Sequence, residues 1–193
     1  DGVGNLMAEG SKTASKKLGR GSERYAITIK GQELYEPLRC LGIGWALGVI
    51  VSATAGGHLR GAPLCERLQM GPKEATKAYG VSTACNRVTY KGKAKLVVYT
   101  ENFKAAVDNL GVCYLLTQWT GPEHIDLEDL ALLASAAIGR DFDRGVLGKM
   151  GEITTNLEKA FNVREGILKK EDFPPQRFYE PMPSGPARGE HVD

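Results

Sequence analysis

Apolar residues recur at helical spacing in the first stretch of the chain and alternate with polar residues in the next. Positions 3–18, "VGNLMAEGSKTASKKL", carry a stripe of apolar or small residues that predicts one helix, which Gly19 would end. Positions 24–31 alternate and predict a short strand. One face of that strand would hold Tyr25, Ile27 and Ile29. Positions 88–99, "VTYKGKAKLVVY", predict a strand or an extended pair whose last residues lead into a helix.

The last third of the chain follows a helical period. One helix is predicted over residues 102–110. The next is predicted to begin after Asp126, whose carboxylate can cap it with Asp129 at the third position, and to end at Gly139. Its core face would hold Leu130, Leu133, Ala134, Ala137 and Ile138.

A longer helix is predicted from about residue 143 to residue 162. Its apolar residues, spaced by three and four, are Val146, Met150, Ile153, Leu157 and Phe161. These patterns predict a mainly α protein with a few short strands. We expect three regions: residues 1–100, helical with short strands and a glycine-rich loop; residues 101–172, helical; and residues 173–193, a proline-rich extended tail.

Charge and composition remove several classes of function. The formal charge is +2 over 193 residues, and the basic residues are spread out, so no basic stripe for nucleic acid is present. No apolar run has the length of a membrane span, and the chain starts without a secretory signal. We therefore expect no nucleic-acid or membrane partner and a cytoplasmic location. A start without methionine and the linker-like end "PMPSGPARGEHVD" suggest a piece of a longer polypeptide.

The four cysteines, Cys40, Cys65, Cys85 and Cys113, are far apart in the sequence. No CxxC pair exists, so the chain encodes neither a zinc knuckle nor a complete iron–sulfur site. Without a secretion signal we expect reduced thiols. The first three have no metal spacing and are expected to be buried thiols.

The stretch "AVDNLGVC" sets a carboxylate, a glycine and a thiol within six residues. Asp108 could accept two protons from a guanidine-like ring edge, and Gly111 would let the backbone approach a flat ring. As a thiolate, Cys113 could bind iron. The structural alternative is a solvated carboxylate, a helix-ending glycine and a small core residue. Without a ligand we expect Asp108 to be solvated or loosely paired.

A second candidate lies in "GGHLRG". The His58 imidazole could transfer protons near neutral pH, and Arg60 could hold a phosphate or a carbonyl oxygen. The alternative is a loop histidine bonded to a backbone carbonyl. Tyr114 and Trp119 are expected to be core residues. The charged residues of "NLEKAFNVREGILKKED" are expected to form a solvated helix face.

Six segments occur in the order found in the aldehyde ferredoxin oxidoreductase family, and the chain resembles the helical C-terminal part of these enzymes. They are "NLMAEGSKTASKKLG", "AITIKGQEL", "GGHLRG", "KAKLVVYTENFKAAVDNLGVC", "NLEKAFNVREG" and "FPPQRFYEPMPSGPARG". The resemblance implies a tungsten or molybdenum bis-pterin cofactor and a nearby 4Fe–4S cluster. It also implies the helical C-terminal domains of that fold.

The resemblance assigns roles to particular residues. The pterin motif DxxGL(C/D) of the family falls on Asp108 to Cys113, with Val112 in place of leucine. Asp108 would bind the amino edge of the pterin, and Cys113 would be the fourth cluster ligand. The family's active-site histidine falls on His58, and a basic pterin contact falls on Arg60. The other cofactor-binding positions in the motif are Asn109, Leu110, Gly111 and Val112.

The implied activity is oxidation of aldehydes to carboxylates, with the electrons passed to ferredoxin or a similar protein. The chain reads "TAGGHLRG" where the family usually reads "RGACHLRG", and this leaves the substrate class open. The alternatives are the tungsten subunit of a benzoyl-CoA-type reductase and a non-catalytic helical interaction module. The family's CxxCxxxC triplet and first pterin motif do not occur in the chain. The expected partners are therefore the remainder of the parent polypeptide, a small-molecule substrate and, as a further expectation, a second subunit in a homodimer.

Overall fold

The computed structural model describes residues 2–34 and 38–192, apart from the side chains of Arg39 and Cys40. The prediction that Cys40 is a buried thiol therefore lies outside the described residues. The described part is mainly helical with one two-stranded hairpin, so the predicted fold class is confirmed. None of its helices combines the length and apolar character that crossing a bilayer requires.

Short helices come first and long helices last. The α-helices are α1 (Val3–Ala8), α2 (Ser11–Leu18), α3 (Leu38–Leu41), α4 (Ile43–Val51), α5 (Pro72–Tyr79), α6 (Lys93–Asn109), α7 (Leu127–Ile138) and α8 (Arg144–Arg164). Strands β1 (Thr28–Ile29) and β2 (Gln32–Glu33) pair antiparallel, with Thr28 opposite Glu33. Short 3-10 turns cover Ser22–Tyr25, Leu64–Arg67, Tyr114–Leu116, Lys169–Glu171 and Gln176–Tyr179.

Helix α6 lies at the centre of the molecule and packs against both α8 and α4. The main core between these helices contains buried residues such as Trp45, Val49, Phe103, Val107 and Leu147. A smaller core at the other end of α6 joins α5 and the Leu64–Arg67 turn to Leu96, and it includes Cys65 and Tyr79. Burying two clusters against one helix fixes the position of both helix ends.

A fully buried ion pair joins the elements at the start of α4 and α6. Nζ of Lys93 lies 2.6 Å from Oε1 of Glu66, and each side chain is 1% exposed. The ammonium also donates to the carbonyl oxygens of Thr83 at 3.0 Å and Ala84 at 3.1 Å. Glu66 in turn accepts from the backbone N–H groups of Gly44 and Trp45 in the first turn of α4. Every donor of the ammonium is therefore used, and the carboxylate satisfies N–H groups that a helix start leaves open.

Two predicted elements differ from the structure. The single helix over 3–18 is wrong, because the chain breaks at Glu9 and Gly10 (φ +80°) and the Ser11 N–H bonds to the Glu33 carboxylate at 2.7 Å. The strand or extended pair over 88–99 is also wrong, although the helix expected at its last residues is confirmed. There the helix α6 begins directly after Gly92, because Lys93, Leu96, Val97 and Thr100 are buried at helical spacing.

The predicted strand is shorter than expected, and the predicted tail contains a turn. Of positions 24–31 only β1 is strand, Ile29 is buried, and Tyr25 is exposed in a 3-10 turn. The tail is not extended throughout, since Gln176–Tyr179 forms a 3-10 turn that places Phe178 in the core. The three-region division stays a prediction, and its boundary at residue 100 falls inside α6.

The caps of α7 are confirmed, but its predicted core face is partly wrong. Asp126 accepts from the N–H groups of Glu128 and Asp129, and Gly139 ends the helix. The buried residues are Leu127, Leu130, Ala131 and Ala134, whereas Leu133, Ala137 and Ile138 are exposed. All four buried residues lie within the first eight residues of the helix, so its C-terminal turn is exposed.

The predicted extent of α8 is confirmed, but its apolar stripe is not the face that packs on α6. Leu147 and Gly151 are buried, and Met150 is half-buried. The exposed part of the stripe consists of Val146 (44%), Ile153 (49%), Leu157 (65%) and Phe161 (55%). We call these four residues the α8 stripe. The packed face uses a glycine because α6 approaches too closely for a larger side chain.

The contact between α6 and α8 depends on Gly151. A Cβ at this position would lie 1.9 Å from the carbonyl oxygen of Asn102 and 3.2 Å from the backbone nitrogen of Ala106. Both obstacles are backbone atoms of α6, so the helices must separate to admit a methyl group. We expect Gly151→Ala to lower the free energy of unfolding by about 1–3 kcal/mol, measured by urea denaturation.

Gly148→Ala is the matched control on the same helix. A Cβ at Gly148 would meet no atom within 4 Å. That substitution should raise stability by roughly 0.5–1 kcal/mol, because alanine favours a helix more than glycine does. Equal effects of the two substitutions would contradict the proposed close crossing.

Candidate functional site

Two of the predicted site residues form an ion pair. Nη1 of Arg60, in the loop after α4, lies 2.9 Å from Oδ2 of Asp108 near the end of α6. The other oxygen of Asp108 pairs with Lys104 one turn earlier, and Nη2 of Arg60 pairs with Glu158 of α8. We call these four residues the ionic cluster. The expectation of a solvated or loosely paired Asp108 is therefore wrong, since two cations hold it.

The loop that carries His58 and Arg60, residues 52–63, is anchored at both ends. Near its start, Nδ2 of Asn162 donates to the carbonyl of Ala53 at 2.7 Å. Near its end, Nε1 of Trp119 donates to the carbonyl of Ala62 at 2.7 Å. Between them Gly61, with φ +116°, lies so close to α6 that a Cβ would be 2.6 Å from Cα of Glu101. These contacts fix the loop on the surface of α6.

The imidazole of His58 is held by the only two tryptophans of the sequence. Its ring centroid lies 5.0 Å from that of Trp45 on α4 and 5.7 Å from that of Trp119, with 7° between the His58 and Trp119 planes. Trp119 also stacks on Tyr114 with centroids 4.7 Å apart. Because Tyr114 follows Cys113 directly, a row of stacked rings connects the neighbour of the candidate cluster ligand to the candidate catalytic histidine.

The segment after α6 presents its polar groups outward. Gly111 adopts φ +68°, where a Cβ would meet no atom within 4 Å, and Cys113 is an exposed free thiol. Leu110 and Val112 pack against the main core. Asn109 donates from Nδ2 to the Thr154 hydroxyl of α8 at 2.9 Å. The apolar residues of the motif thus hold the turn in place, and the glycine and thiol remain accessible.

Some residues of this site were missed by sequence reasoning. Glu158 was expected on a solvated face but pairs with Arg60, and Lys104 and Trp45 were not considered. Only Lys104 had a local signal, because it precedes Asp108 by four residues in a helix. The other two lie far from their partners in sequence. Tyr114 and Trp119 are buried, as predicted.

The exposed groups fit the pterin that the resemblance implies. Each oxygen of Asp108 accepts one bond from a cation and retains a second lone pair, so the carboxylate can still accept from an amino edge. The indole Nε1 of Trp45 and the hydroxyl of Tyr114 are buried and have no hydrogen-bond partner among the described residues. Because both atoms are closed to solvent, they do not contribute to contact with a ligand at the surface.

The described residues do not hold a metal by themselves. Residues 2–34 and 38–192 contain no group of three histidine, cysteine or carboxylate side chains arranged to bind an ion. Cys113 is an exposed free thiol, and its role as an iron ligand stays a prediction.

A protonatable carboxyl lies beside the ionic cluster. Glu101 lines a small cleft together with Arg60, Lys104 and Glu158. Burial raises the pKa of Glu101 to about 7, and the nearby ammonium groups of Lys159 and Lys30 oppose this effect. The Asp172 carboxylate raises the pKa of Glu101 further, and the Arg60 guanidinium lowers it.

This pKa makes stability depend on pH. Glu101 binds its proton more tightly in the folded chain than at its ordinary pKa of 4.5. Its stabilising contribution is therefore complete below pH 4.5 and is lost as the pH rises through about 7. Glutamine does not titrate, so Glu101→Gln should not share this loss. As the pH rises from 5 to 8, its free energy of unfolding should increase by about 1–3 kcal/mol relative to that of the wild type, measured by urea denaturation. The exposed Glu165→Gln should follow the wild type, and the same behaviour of Glu101→Gln would show that Glu101 stays ionised.

Comparison with known proteins gives one consistent result. The family model described as aldehyde ferredoxin oxidoreductase, domains 2 and 3, matches residues 1–193. The tungsten-containing aldehyde ferredoxin oxidoreductase of Pyrococcus horikoshii is 31% identical over 196 residues, which cover 100% of this chain and 29% of the relative. The enzymes of the same name from Pyrococcus furiosus and Thermococcus kodakarensis are 30% and 28% identical, and this chain again covers 29% of each.

The chain thus spans under a third of the length of these relatives, and the match runs along essentially the whole chain. The helical fold described above agrees with the helical domains that the family model represents. The chain therefore belongs to the aldehyde ferredoxin oxidoreductase family and corresponds to its domains 2 and 3.

Proposed function

We propose that this chain forms one side of the cofactor site of a tungsten-pterin oxidoreductase that converts aldehydes to carboxylates. The observation that carries the proposal is the contact between Arg60 and Asp108, which are 48 residues apart, at the end of α6, four residues before Cys113. Support comes from relatives named as tungsten-containing aldehyde ferredoxin oxidoreductases. A non-catalytic module would have no need for this arrangement of an exposed thiol and a partly exposed carboxylate.

Each residue of the ionic cluster has a separate task in this proposal. Asp108 accepts the N–H groups of the pterin amino edge, a bidentate pairing that suits a carboxylate. Lys104 and Arg60 hold the carboxylate in one orientation, so little freedom is lost on binding. Glu158 holds the far side of the Arg60 guanidinium. Gly111 and its neighbours Asn109, Leu110 and Val112 present a backbone that a flat ring can approach.

Cys113 would have a role in electron transfer, and His58 would have a role in proton transfer. The Cys113 thiolate would be one of the four ligands of a 4Fe–4S cluster that passes electrons to a ferredoxin-like protein. The tungsten cofactor, when bound, supplies a Lewis acid and accepts two electrons. His58 would take up or deliver the proton of the reaction, and its contacts with Trp45 and Trp119 keep the ring from turning away.

We propose that the α8 stripe is covered by the part of the family architecture that this chain does not match. Four large apolar side chains in a row on one helix form a patch of the kind that marks an interface. The matched region is 29% of the length of the relatives, so enough chain is available to cover it. The same part would supply the remaining cluster ligands.

The ligand role of Cys113 is tested by iron analysis of a protein with the complete family architecture, purified without oxygen. We expect Cys113→Ser to lower the iron content below about four per chain, because one of four cluster thiolates is lost. Cys85→Ser is the control, since Cys85 packs in the smaller core at the other end of α6, and it should retain full iron content. Full iron content in Cys113→Ser would refute the assignment.

The proton-transfer role is tested by His58→Gln in the same protein. Glutamine can hydrogen-bond but cannot carry the proton, so turnover of aldehydes should fall by about 10²–10⁴ while tungsten and pterin contents stay unchanged. Tryptophan fluorescence reports on folding at the site, because both tryptophans contact His58. Loss of the cofactor would mean that His58 has a structural role instead.

A further inference from the structure

A pair of thiols lies outside the proposed cofactor site, in the smaller core. Cys65 and Cys85 are 20 residues apart in sequence, yet they pack in the same cluster of side chains. Sγ of Cys65 also lies 3.9 Å from the carbonyl oxygen of Ala84, the residue before Cys85. Both side chains belong to the cluster formed around Tyr79 and Leu96. No cofactor role is assigned to either residue.

The two thiols differ in their surroundings. Cys65 is 2% exposed, and the neighbouring Cys85 thiol together with burial raises the pKa of its thiol. Cys85 is half-buried, and the Cys65 thiol, the Lys93 ammonium and the Met70 backbone all favour its thiolate. These contacts lower the pKa of Cys85, against the opposing effects of burial and of Glu66. A stabilised, accessible thiolate with a second thiol beside it is the arrangement of a redox-active pair.

We propose that Cys65 and Cys85 form an intramolecular disulfide when the chain meets a low-molecular-weight disulfide such as oxidised glutathione. The Cys85 thiolate attacks one sulfur of the reagent and releases one glutathione thiolate, which gives a mixed disulfide. The Cys65 thiol gives its proton to a glutathione thiolate and attacks Sγ of Cys85, and this releases the second glutathione. Two protein thiols are oxidised, and one disulfide is reduced to two thiols.

The position of the pair gives the bond a structural consequence. Cys65 precedes Glu66, and Cys85 follows the carbonyl of Ala84 that accepts from Lys93. A disulfide would therefore join directly the two segments that the buried ion pair now holds together. We expect the bond to form in the folded chain with that ion pair intact.

The test uses the 193-residue chain carrying Cys113→Ser, which removes the exposed thiol of the cofactor site. The folded chain is reduced, freed of reductant without oxygen, exposed to oxidised glutathione, and its remaining thiols are alkylated. We expect the loss of two of the three remaining free thiols. After digestion with trypsin, peptide 61–67 should be joined to peptide 78–87, and this link should disappear on reduction. Circular dichroism before and after oxidation confirms that the reaction occurs in the folded chain.

Two further variants separate the roles of the thiols. Without its resolving partner, Cys85 in Cys65→Ser should stop at the mixed disulfide with glutathione. In Cys85→Ser the buried Cys65 should remain a free thiol. The proposal is overturned if the Cys113→Ser chain gives no link between the two peptides, whether Cys85 remains free or stays a mixed disulfide. Peptide 40–60 carries Cys40. A disulfide from Cys65 or Cys85 to this peptide, in place of the expected link, would also overturn the proposal.

Discussion

The fold depends on the buried ion pair between Glu66 and Lys93. Glu66 caps the first turn of α4, and Lys93 is the first residue of α6, so the pair sets where these two helices begin relative to one another. Charges buried in this way are tolerated only when their hydrogen bonds are complete, as they are here. Removing one partner of such a pair typically costs roughly 3–5 kcal/mol. The pair is therefore a constraint on geometry more than a source of net stability.

The positions of the site residues follow from these two helices. Helix α4 carries Trp45, which contacts the His58 ring, and α6 carries Lys104 and Asp108 at its far end. The loop between α4 and the Leu64–Arg67 turn is then pressed onto α6 and directs Arg60 toward Asp108. A polar site is thus formed on a rigid scaffold before any ligand binds, which reduces the loss of freedom that binding would otherwise require.

Features set by local chemistry could be predicted from the sequence, and features set by long-range packing could not. The capping box of α7 was predictable because Asp126 and Asp129 act within one turn. The burial of Lys93 was not, since its partners come from two other segments and lysine is rarely buried. The α8 stripe was found by its period, but a period does not reveal which neighbour covers a helix face. Asp108 and Arg60 were each identified from a motif. Their contact was not predicted, because it joins two segments that are 48 residues apart.

Under the proposed function, the end of α6 is a preformed half of a pterin and iron–sulfur site. A crystal structure of the cofactor-loaded protein, with anomalous data collected at the iron and tungsten absorption edges, tests it most directly. We expect iron bonded to Sγ of Cys113 and a pterin amino edge hydrogen-bonded to Asp108. Iron held without Cys113, with Asp108 still paired only to Arg60 and Lys104, would contradict it.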